Sequence, residues 1–440
     1  MNSGFVQSMR DAAKIQRLPG SGIGWLDIAR AEALDEFLAA GLPGTRDELW
    51  KYTALRALSQ RAYAAHDDMA ATRAVDATLL ELPDIDGPRL VFVNGVFRAD
   101  LSKLHALPDG LSLRPLSRTL AEQPEPLRFL LARRPQECTD AFVALNTALA
   151  SDGVVLHVAD GARIRGPVHI IHIGVPADGD MAWHARSMIR LGNDAWLGLI
   201  EHHVGTDEHA HFANLASDYI LGERARLDLL VIQNAANAAT LLRRSEFHLQ
   251  YAAHGSLHAL ELGGALSRHE IRVALDGDLA RFDSRGAFAL RARQHVDTEL
   301  LIEHRGRDTA SDALWRGVAD DRARGVFHGA ITVARGADGA DAKLSNKNLL
   351  LSRDAEIDTR PALEIYADEV KAAHGATVGQ LDERALFYMR SRGLAAEDAR
   401  MLLVRAFCAT ALTGIEPQAL REYAEALLLA HLPRQAAVAV

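Results

Sequence analysis

The chain has 440 residues, of which 48% are hydrophobic, so it can bury a large core and is not globally disordered. Its net charge of -9 is not gathered into blocks, which excludes a nucleic-acid footprint, and two cysteines are too few for a disulfide framework. No stretch reaches the roughly 18 consecutive apolar residues of a membrane span, and the N-terminus lacks the apolar core of a signal peptide. We therefore expect a cytoplasmic protein that binds neither nucleic acid nor membrane.

The first 150 residues are predicted to be mainly helical. Apolar residues recur at helical spacing over residues 25–38, and Gly41 ends that pattern. The run LVFVNGVF predicts a short hairpin that turns at Asn94 and Gly95. A further helix is predicted between residues 126 and 150.

Residues 151–371 alternate short apolar runs with turns and are predicted to form a β-solenoid. A polar turn, a small residue and an alternating apolar strand recur, as in GNDAWLGLI and GERARLDLL. The small residues are Ala195, Ala225, Ser256 and Ala280, and their steps of 24 to 31 residues are typical of a solenoid or a propeller. Each repeat has room for two or three strands rather than a four-stranded blade, which favours a parallel β-helix. Its ends need cover from helices or a partner chain.

The segment 361–393 is a junction between strands and helices. Alternating apolar residues up to Tyr366 give way to a predicted polar turn at residues 374–377 and then to a helical pattern from about Leu381. Two more helices are predicted after it. The fold class is therefore mainly β, with an N-terminal helical region that includes a short hairpin (1–150), a β-helix core (151–371) and a C-terminal helical domain (372–440).

Catalytic motifs are scarce in this sequence. The phosphate-loop, dinucleotide-binding, serine-hydrolase and zincin motifs are all absent. The densest group of metal-ligand type contains Glu201, His202 and His203, followed by His209 and His211. We interpret this group as a solvated loop rather than a metal site, because 19 histidines make chance clustering easy.

Two further classes of function stay open from the residues alone. Surface acids could line the groove of a carbohydrate-active β-helix enzyme, although no spacing identifies a catalytic pair. These acids are Asp283, Asp297, Glu299 and Glu303. The other class is a free-standing interaction module without any dependence on iron.

Several stretches resemble the SufB/SufD family of iron–sulfur cluster assembly proteins, and most of all its SufD-like members. They are ELWKYT (48–53), FVNG (92–95), NTA (146–148), GVFHGAITV (325–333), NKNLLLS (346–352) and LEIYADEVKAAHGATVGQLDERALFYMRSRG (363–393). The similarity covers most of the chain, and its longest blocks are specific.

The resemblance implies a right-handed parallel β-helix between helical segments, and a non-catalytic scaffold role in the Suf system. It implies a heteromeric complex with a SufB-like paralogue and a SufC-like ABC ATPase, or a homodimer when the paralogue is absent. The last coils of the β-helix would pair with the paralogue. The helix around LFYMRSRG would dock on the ATPase, with Phe387, Tyr388 and Arg392 as candidate contacts. Ordinary helix packing is the alternative for Phe387 and Tyr388.

The chain departs from the family motif at one important position. The motif usually carries a cysteine two residues before its histidine, where this chain has Ala372. Because thiolates are the main ligands of iron–sulfur clusters, only the imidazole of His374 is left to bind or orient a cluster begun by the partner. The resemblance thus implies a transient, shared cluster and none on the isolated chain. The alternative is that His374 only hydrogen-bonds the turn, and Cys408 is expected to be a buried core cysteine.

Overall fold

The structure, a computed structural model, describes residues 3–65, 74–82, 85–131, 140–206 and 208–432. Within them the strands are β1 (Arg89–Val93), β2 (Val96–Phe97), β3 (Leu111–Pro115), β4 (Val154–Val158), β5 (Val168–Gly174), β6 (Ala182–Leu191), β7 (Trp196–Gly205), β8 (Phe212–Leu221), β9 (Arg226–Asn234), β10 (Thr240–Leu249), β11 (His254–Glu261), β12 (Leu266–Leu275), β13 (Arg281–Leu290), β14 (His295–His304), β15 (Ala310–Ala319), β16 (Arg324–Val333), β17 (Asp341–Leu350), β18 (Glu356–Ile365) and β19 (Lys371–Gly379). The α-helices are α1 (Gly4–Ile15), α2 (Gly24–Ala40), α3 (Arg56–Gln60), α4 (Leu116–Glu122), α5 (Arg128–Leu131), α6 (Ala141–Leu149), α7 (Glu383–Ser391), α8 (Ala396–Ala409) and α9 (Gln418–His431).

Small residues occupy the tight corners at which successive coils begin. Each lies directly before a strand, is at most 1% exposed, and follows a residue whose φ lies between 51° and 62°. These corner residues are Ala195, Ala225, Ala253 and Ala280. Ser256, which the sequence pattern placed at a corner, lies inside β11, because the glycine before it belongs to the strand rather than to the turn. The predicted repeat is otherwise confirmed.

The coils stack into two parallel sheets with about eight turns. The odd-numbered strands from β5 to β19 join β1 and β2 in a 10-stranded sheet, and the even-numbered strands from β4 to β18 join β3 in a 9-stranded sheet. Inward rows from both sheets fill the space between them, and its C-terminal half is packed with Phe282, Trp315 and Phe327, each at most 1% exposed. Burial of each such side chain contributes about 1.5–3 kcal/mol. The predicted parallel β-helix is therefore confirmed.

Helices cover the outer face of each sheet. Phe212 and Leu242 of the 9-stranded sheet pack against α1, α2 and α6 in one cluster, and Leu230 and Leu260 of the 10-stranded sheet pack against α8 and α9 in another. Gly41, with φ 68°, ends α2 as predicted. No helix among the described residues is long and apolar enough to cross a membrane.

The predicted region boundaries cut across some of these elements. The predicted hairpin forms, with β1 and β2 paired antiparallel, and β1 also pairs parallel with β5, so the first region contributes strands to the sheets. At the other end β19 runs to Gly379, and the C-terminal helices begin at Glu383. The helix predicted over residues 126–150 is observed as α5 and α6. Cys138, one of the two cysteines of the chain, lies outside the described residues.

Candidate functional site

The last coil of the β-helix has two open edges within the described part of the chain. There β18 pairs only with β16, and β19 only with β17. The backbone N–H of Tyr366 bonds to Val333 and that of Lys371 to Ala340, so the odd residues of β18 and the even residues of β19 direct their backbone groups to the free side. Pro361 lies on that free side, where its missing N–H costs no ladder bond. Such edges can accept a further strand.

His374 lies in β19 and not in the polar turn that the sequence pattern predicted. It stands opposite Leu344 of β17, whose side chain faces the interior, so the imidazole continues an inward row at the open end. The side chain is exposed because no further coil covers it. It makes no hydrogen bond within the described residues, so the alternative in which it bonds a turn is wrong. Small and polar residues suit turns and edge strands alike, and only pairing with β17 separates the two.

Ala372 shares the inward row with His374 and packs against the interior cluster of the β-helix. A methyl group therefore stands where the family motif would place a thiol. Within the described residues no group of three or more His, Cys, Asp or Glu side chains is arranged to hold a metal ion. The donor set at this end is one imidazole, which fits a cluster only if another chain supplies further ligands.

A small polar floor underlies the open end and was missed at the sequence level. Asn346 and Asn348 of β17 point inward, at most 2% exposed, and bond to each other through their carboxamides at 2.5 Å. The hydroxyl of Thr359 donates to Asn346 at 2.8 Å, and Asn348 reaches the carbonyl of Thr377 at 3.2 Å. These bonds join β17 to β18 and β19 at the open end. Alternate residues of NKNLLLS point inward, and this alternation is the signal in the sequence that could have identified the two asparagines.

Helix α7 presents an aromatic surface to solvent. Asp382 caps its first turn by accepting the backbone N–H of Arg384 at 2.8 Å, and no residue of the helix is fully buried. Phe387 is 73% exposed and Tyr388 is 60% exposed, so core packing is the wrong interpretation for both. Arg392 lies over the Tyr388 ring at 5.2 Å and donates to its hydroxyl at 3.2 Å.

The ELWKYT stretch forms a strap across the outer face of the 9-stranded sheet. The strap consists of residues 48–53. Trp50 stacks on the Arg268 guanidinium at 4.3 Å, and Thr53 donates to Asp297 at 2.5 Å. Glu48 pairs with Arg360 of β18 at 2.7 Å, so the strap reaches the last coil.

The histidine-rich group does not form the solvated loop that was predicted. Glu201, His202 and His203 lie in β7 and are buried, as are His209 and His211. Glu201 accepts a hydrogen bond from Tyr219, and burial lowers the pKa of His203 well below its ordinary value, so that imidazole is neutral. The residues resembled a loop because polar side chains occupy strand positions here, in a polar patch within an otherwise apolar interior.

Further buried polar residues lie along the interior of the solenoid next to this patch. Arg243 pairs with Glu261, and His269 lies 3.2 Å from the same carboxylate. Burial alone would raise the pKa of Glu261, but Arg243 and His269 lower it to about 2. An ionised carboxylate at this depth is stable only because these partners surround it.

The four acids are all engaged in ion pairs and do not form a free catalytic pair, and two of them, Asp297 and Glu299, are buried rather than on the surface as expected. Asp283 pairs with Arg281 and His254, and Glu303 pairs with Arg305. Asp297 and Glu299 share Arg268 beneath the strap. Nothing in this arrangement favours a carbohydrate-active enzyme.

Cys408 is buried in α8, as predicted. It packs in the cluster that joins the C-terminal helices to the 10-stranded sheet. Burial raises the pKa of its thiol to about 12, so no thiolate ligand is available there.

Comparison with known proteins gives the same family along most of the chain. Residues 174–407 match the family model described as SUF system FeS cluster assembly, SufBD core domain, and residues 16–170 match the SufBD protein N-terminal region. The iron–sulfur cluster assembly protein SufD of Escherichia coli is 30% identical, over 91% of this chain and 92% of its own length. A SufBD family protein of Synechocystis is 29% identical, over 93% of this chain and 91% of its own. SufD of Bacillus subtilis is 27% identical over 60% of this chain and 61% of its own.

Proposed function

This chain belongs to the SufBD family of iron–sulfur cluster assembly proteins, and from that premise we propose that it is the SufD-like scaffold subunit of a heteromeric assembly complex. Its role in iron–sulfur cluster assembly follows from the family. The scaffold role is our own step, and the observation that carries it is the open last coil. A β-helix that buries its interior everywhere else and leaves two unpaired edges at one end is suited to receive a second chain there.

The partner at the open end is a SufB-like paralogue. Strand addition at β18 or β19 would pair the free backbone groups and cover Ile365 and Val378, which are 42% and 41% exposed. A second copy of this chain could occupy the same edges when the paralogue is absent. Either partner would change the solvent exposure of His374, because that residue lies in the edge strand.

The cluster is cargo of the complex and not a resident cofactor of this chain. His374 supplies one imidazole nitrogen toward it, and the paralogue supplies thiolates, because Ala372 offers none. The isolated chain therefore holds no stable cluster. A stoichiometric, visibly absorbing cluster on the purified chain would contradict this proposal.

The ATPase docks on α7. Phe387, Tyr388 and Arg392 form an exposed aromatic and cationic surface of the kind that recurs at binding hot spots. A SufC-like ABC ATPase is the partner that the family context supplies. The division into regions 1–150, 151–371 and 372–440 stays a proposal, in which the third region carries both β19 and this docking helix.

Co-expression with SufB-like and SufC-like chains tests the assembly. We expect both to be retained through purification, and a monomer with neither retained would overturn the scaffold role. Reconstitution with His374→Ala then tests the ligand. We expect cluster formation to fall while assembly stays intact, whereas unchanged cluster formation removes the ligand role. His157→Ala, which alters an exposed histidine of β4, is the matched control and should behave as wild type.

A further inference from the structure

A small cavity lies between the strap and the last coil, beside the free edge of β18. Its volume is about 50 Å³. Glu48 and Tyr52 of the strap form one wall, Arg360 of β18 lies at the rim, and Asp297 and His328 form the floor. The floor is buried while the rim is exposed, so the cavity opens to solvent beside β18, the last strand of its sheet.

The floor of this cavity carries two hydrogen-bond acceptors without donors in the described part of the chain. Asp297 bonds through Oδ2 to Thr53 and Arg268, while its Oδ1 has no partner and its side chain is 2% exposed. His328 lies with Nδ1 2.7 Å from Glu299, so Nδ1–H donates to that carboxylate, and Nε2, which is an acceptor in the neutral imidazole, has no partner in the described residues. An occupant that satisfies both atoms must donate hydrogen bonds.

Among the described residues around the cavity, two carboxylates share one guanidinium group. Glu48 pairs with Arg360 at 2.7 Å, and Asp358 pairs with Arg324 at 2.9 Å. Asp297 and Glu299, in contrast, share the single guanidinium of Arg268. Among the described residues four carboxylates therefore share three guanidinium groups, with the His328 imidazole beside Glu299, and burial raises the pKa of Glu299.

Size and position narrow the identity of the occupant. A volume of about 50 Å³ holds the end of a lysine side chain or one to two water molecules, and is tight for a planar guanidinium. Arg268 lines the neighbouring cavity beneath Trp50 and not this one. Lys51 lies over the Tyr52 ring at 5.3 Å and does not line the cavity.

We propose that this cavity is a socket for the ammonium group of a lysine on the chain that docks at the free edge of β18. The ammonium donates to Oδ1 of Asp297 and Nε2 of His328 and supplies the missing positive charge. The inference rests on the proposed function, since it needs a partner at the open end. It adds a residue-level criterion for that partner, which is a lysine beside its own sheet edge.

The test measures the affinity of the SufB-like chain for this chain in titrations at low, physiological and high salt. Asp297→Asn keeps the shape of the side chain and its bond to Thr53 but removes the charge. We expect binding to weaken about thirty-fold, with a reduced dependence on salt. The matched control is Asp283→Asn, which removes an ion-paired carboxylate on the outer face of the other sheet and should bind as wild type. Equal affinity for Asp297→Asn and wild type would overturn the socket.

A second variant protects the test against misfolding. Val326→Met fills the cavity from its wall without altering a charge, and it should weaken binding while the melting temperature stays close to that of wild type. A structure of the complex should place a lysine nitrogen within hydrogen-bond distance of Asp297, whereas water alone, or Lys51 of this chain, in that place would overturn the proposal. If wild type itself fails to bind the partner, the proposed function fails. If wild type binds and the variants bind equally well, only the socket fails.

Discussion

The two ends of the β-helix are built in opposite ways. At the N-terminal end the two-residue strand β2 and the antiparallel strand β3 close the sheets, and Phe97, Leu104 and Leu107 pack over the interior. At the C-terminal end β18 and β19 lie parallel to their neighbours with a free edge, and Ile365 and Val378 face solvent. A very short edge strand discourages further pairing, whereas the regular edges of β18 and β19, with 10 and 9 residues, permit it. The difference supports our proposal that one end is closed by this chain and that a partner completes the other.

A matched pair of leucine truncations gives the largest expected effect. Leu90 of β1 is fully buried at the closed end, and Leu363 of β18 is half-buried at the open end, and both belong to the interior packing. Leu90→Ala should lower the free energy of unfolding by about 2–5 kcal/mol, because it leaves a cavity. Leu363→Ala should lower the free energy of unfolding of the isolated chain by about half as much, because this side chain is only half-buried. Denaturant titration measures both, and equal losses would contradict the difference between the ends.

A proline on the free edge tests strand addition directly. Ala376 directs its N–H away from β17, so Ala376→Pro should leave the isolated fold intact and block an incoming strand, weakening partner binding by about 3 kcal/mol. Ala376→Val keeps the N–H and is the control, which should bind close to wild type. Binding is measured by titration calorimetry, and equal affinities of the two variants would mean that the partner does not pair with β19.

A histidine in the middle of the solenoid should make the free energy of unfolding depend on pH, without a role in partner binding at the open end. A hydrogen bond to Asp276 and the nearby Glu246 raise the pKa of His248 to about 9. Because this lies above the unfolded value of about 6.5, the protonated imidazole stabilises the fold fully below pH 6.5 and its contribution is lost as pH rises through about 9. We expect a loss of order 1 kcal/mol.

Chemical denaturation between pH 6 and 10 measures this loss. His248→Gln should flatten the profile over that window, because the substituted side chain cannot titrate. Partner affinity at fixed pH should be the same for the variant and wild type, since β10 is far along the stack from β18. A variant with the same slope as wild type would assign the pH dependence to other groups.

The exposed aromatic residues of α7 should matter least to stability. Phe387→Ala removes a side chain that is 73% exposed, so the unfolding free energy should change by less than about 0.5 kcal/mol. The ATPase should nevertheless bind more weakly, because exposed aromatic residues are common hot spots. Phe129→Ala, which alters a residue that is 90% exposed in α5, is the matched control. Unchanged ATPase binding by Phe387→Ala would place the docking surface elsewhere.

Local signals in the sequence were sufficient for much of the fold. Asn94-Gly95 predicted the hairpin, Gly41 predicted the end of α2, and the turn followed by a small residue predicted the coils. These features succeed because they depend on backbone conformations that few residues adopt, such as a left-handed corner. The same reasoning failed for Ser256. Alanines replace the glycine turn at this corner, so the predicted corner residue lies three positions after the observed one, Ala253.

The candidate site was predicted only in part. The family motif identified His374 and the helix α7, but residues 374–377 were predicted as a turn and residues 201–203 as a loop. In both places small or polar side chains alternate along a strand, so the local composition indicates a loop. The strand that pairs with each segment lies about thirty residues away along the chain, and no local pattern reveals it. Alternation along NKNLLLS could have indicated that Asn346 points inward, but its partner Thr359 and the cavity under the strap depend on tertiary contacts that had no local signal.

The sequence by itself determined that the chain is a stack of short coils with small corners, flanked by helices, and that its motif offers a histidine without a neighbouring cysteine. Those properties are local, because a turn or a missing thiol is written in adjacent residues. Only the tertiary structure decided that His374 lies in an edge strand, that the strap reaches Arg360 and that one end of the solenoid stays open within the described residues. Each of these three features depends on how all the coils stack, because only the complete stack determines which coil is last and has a free edge.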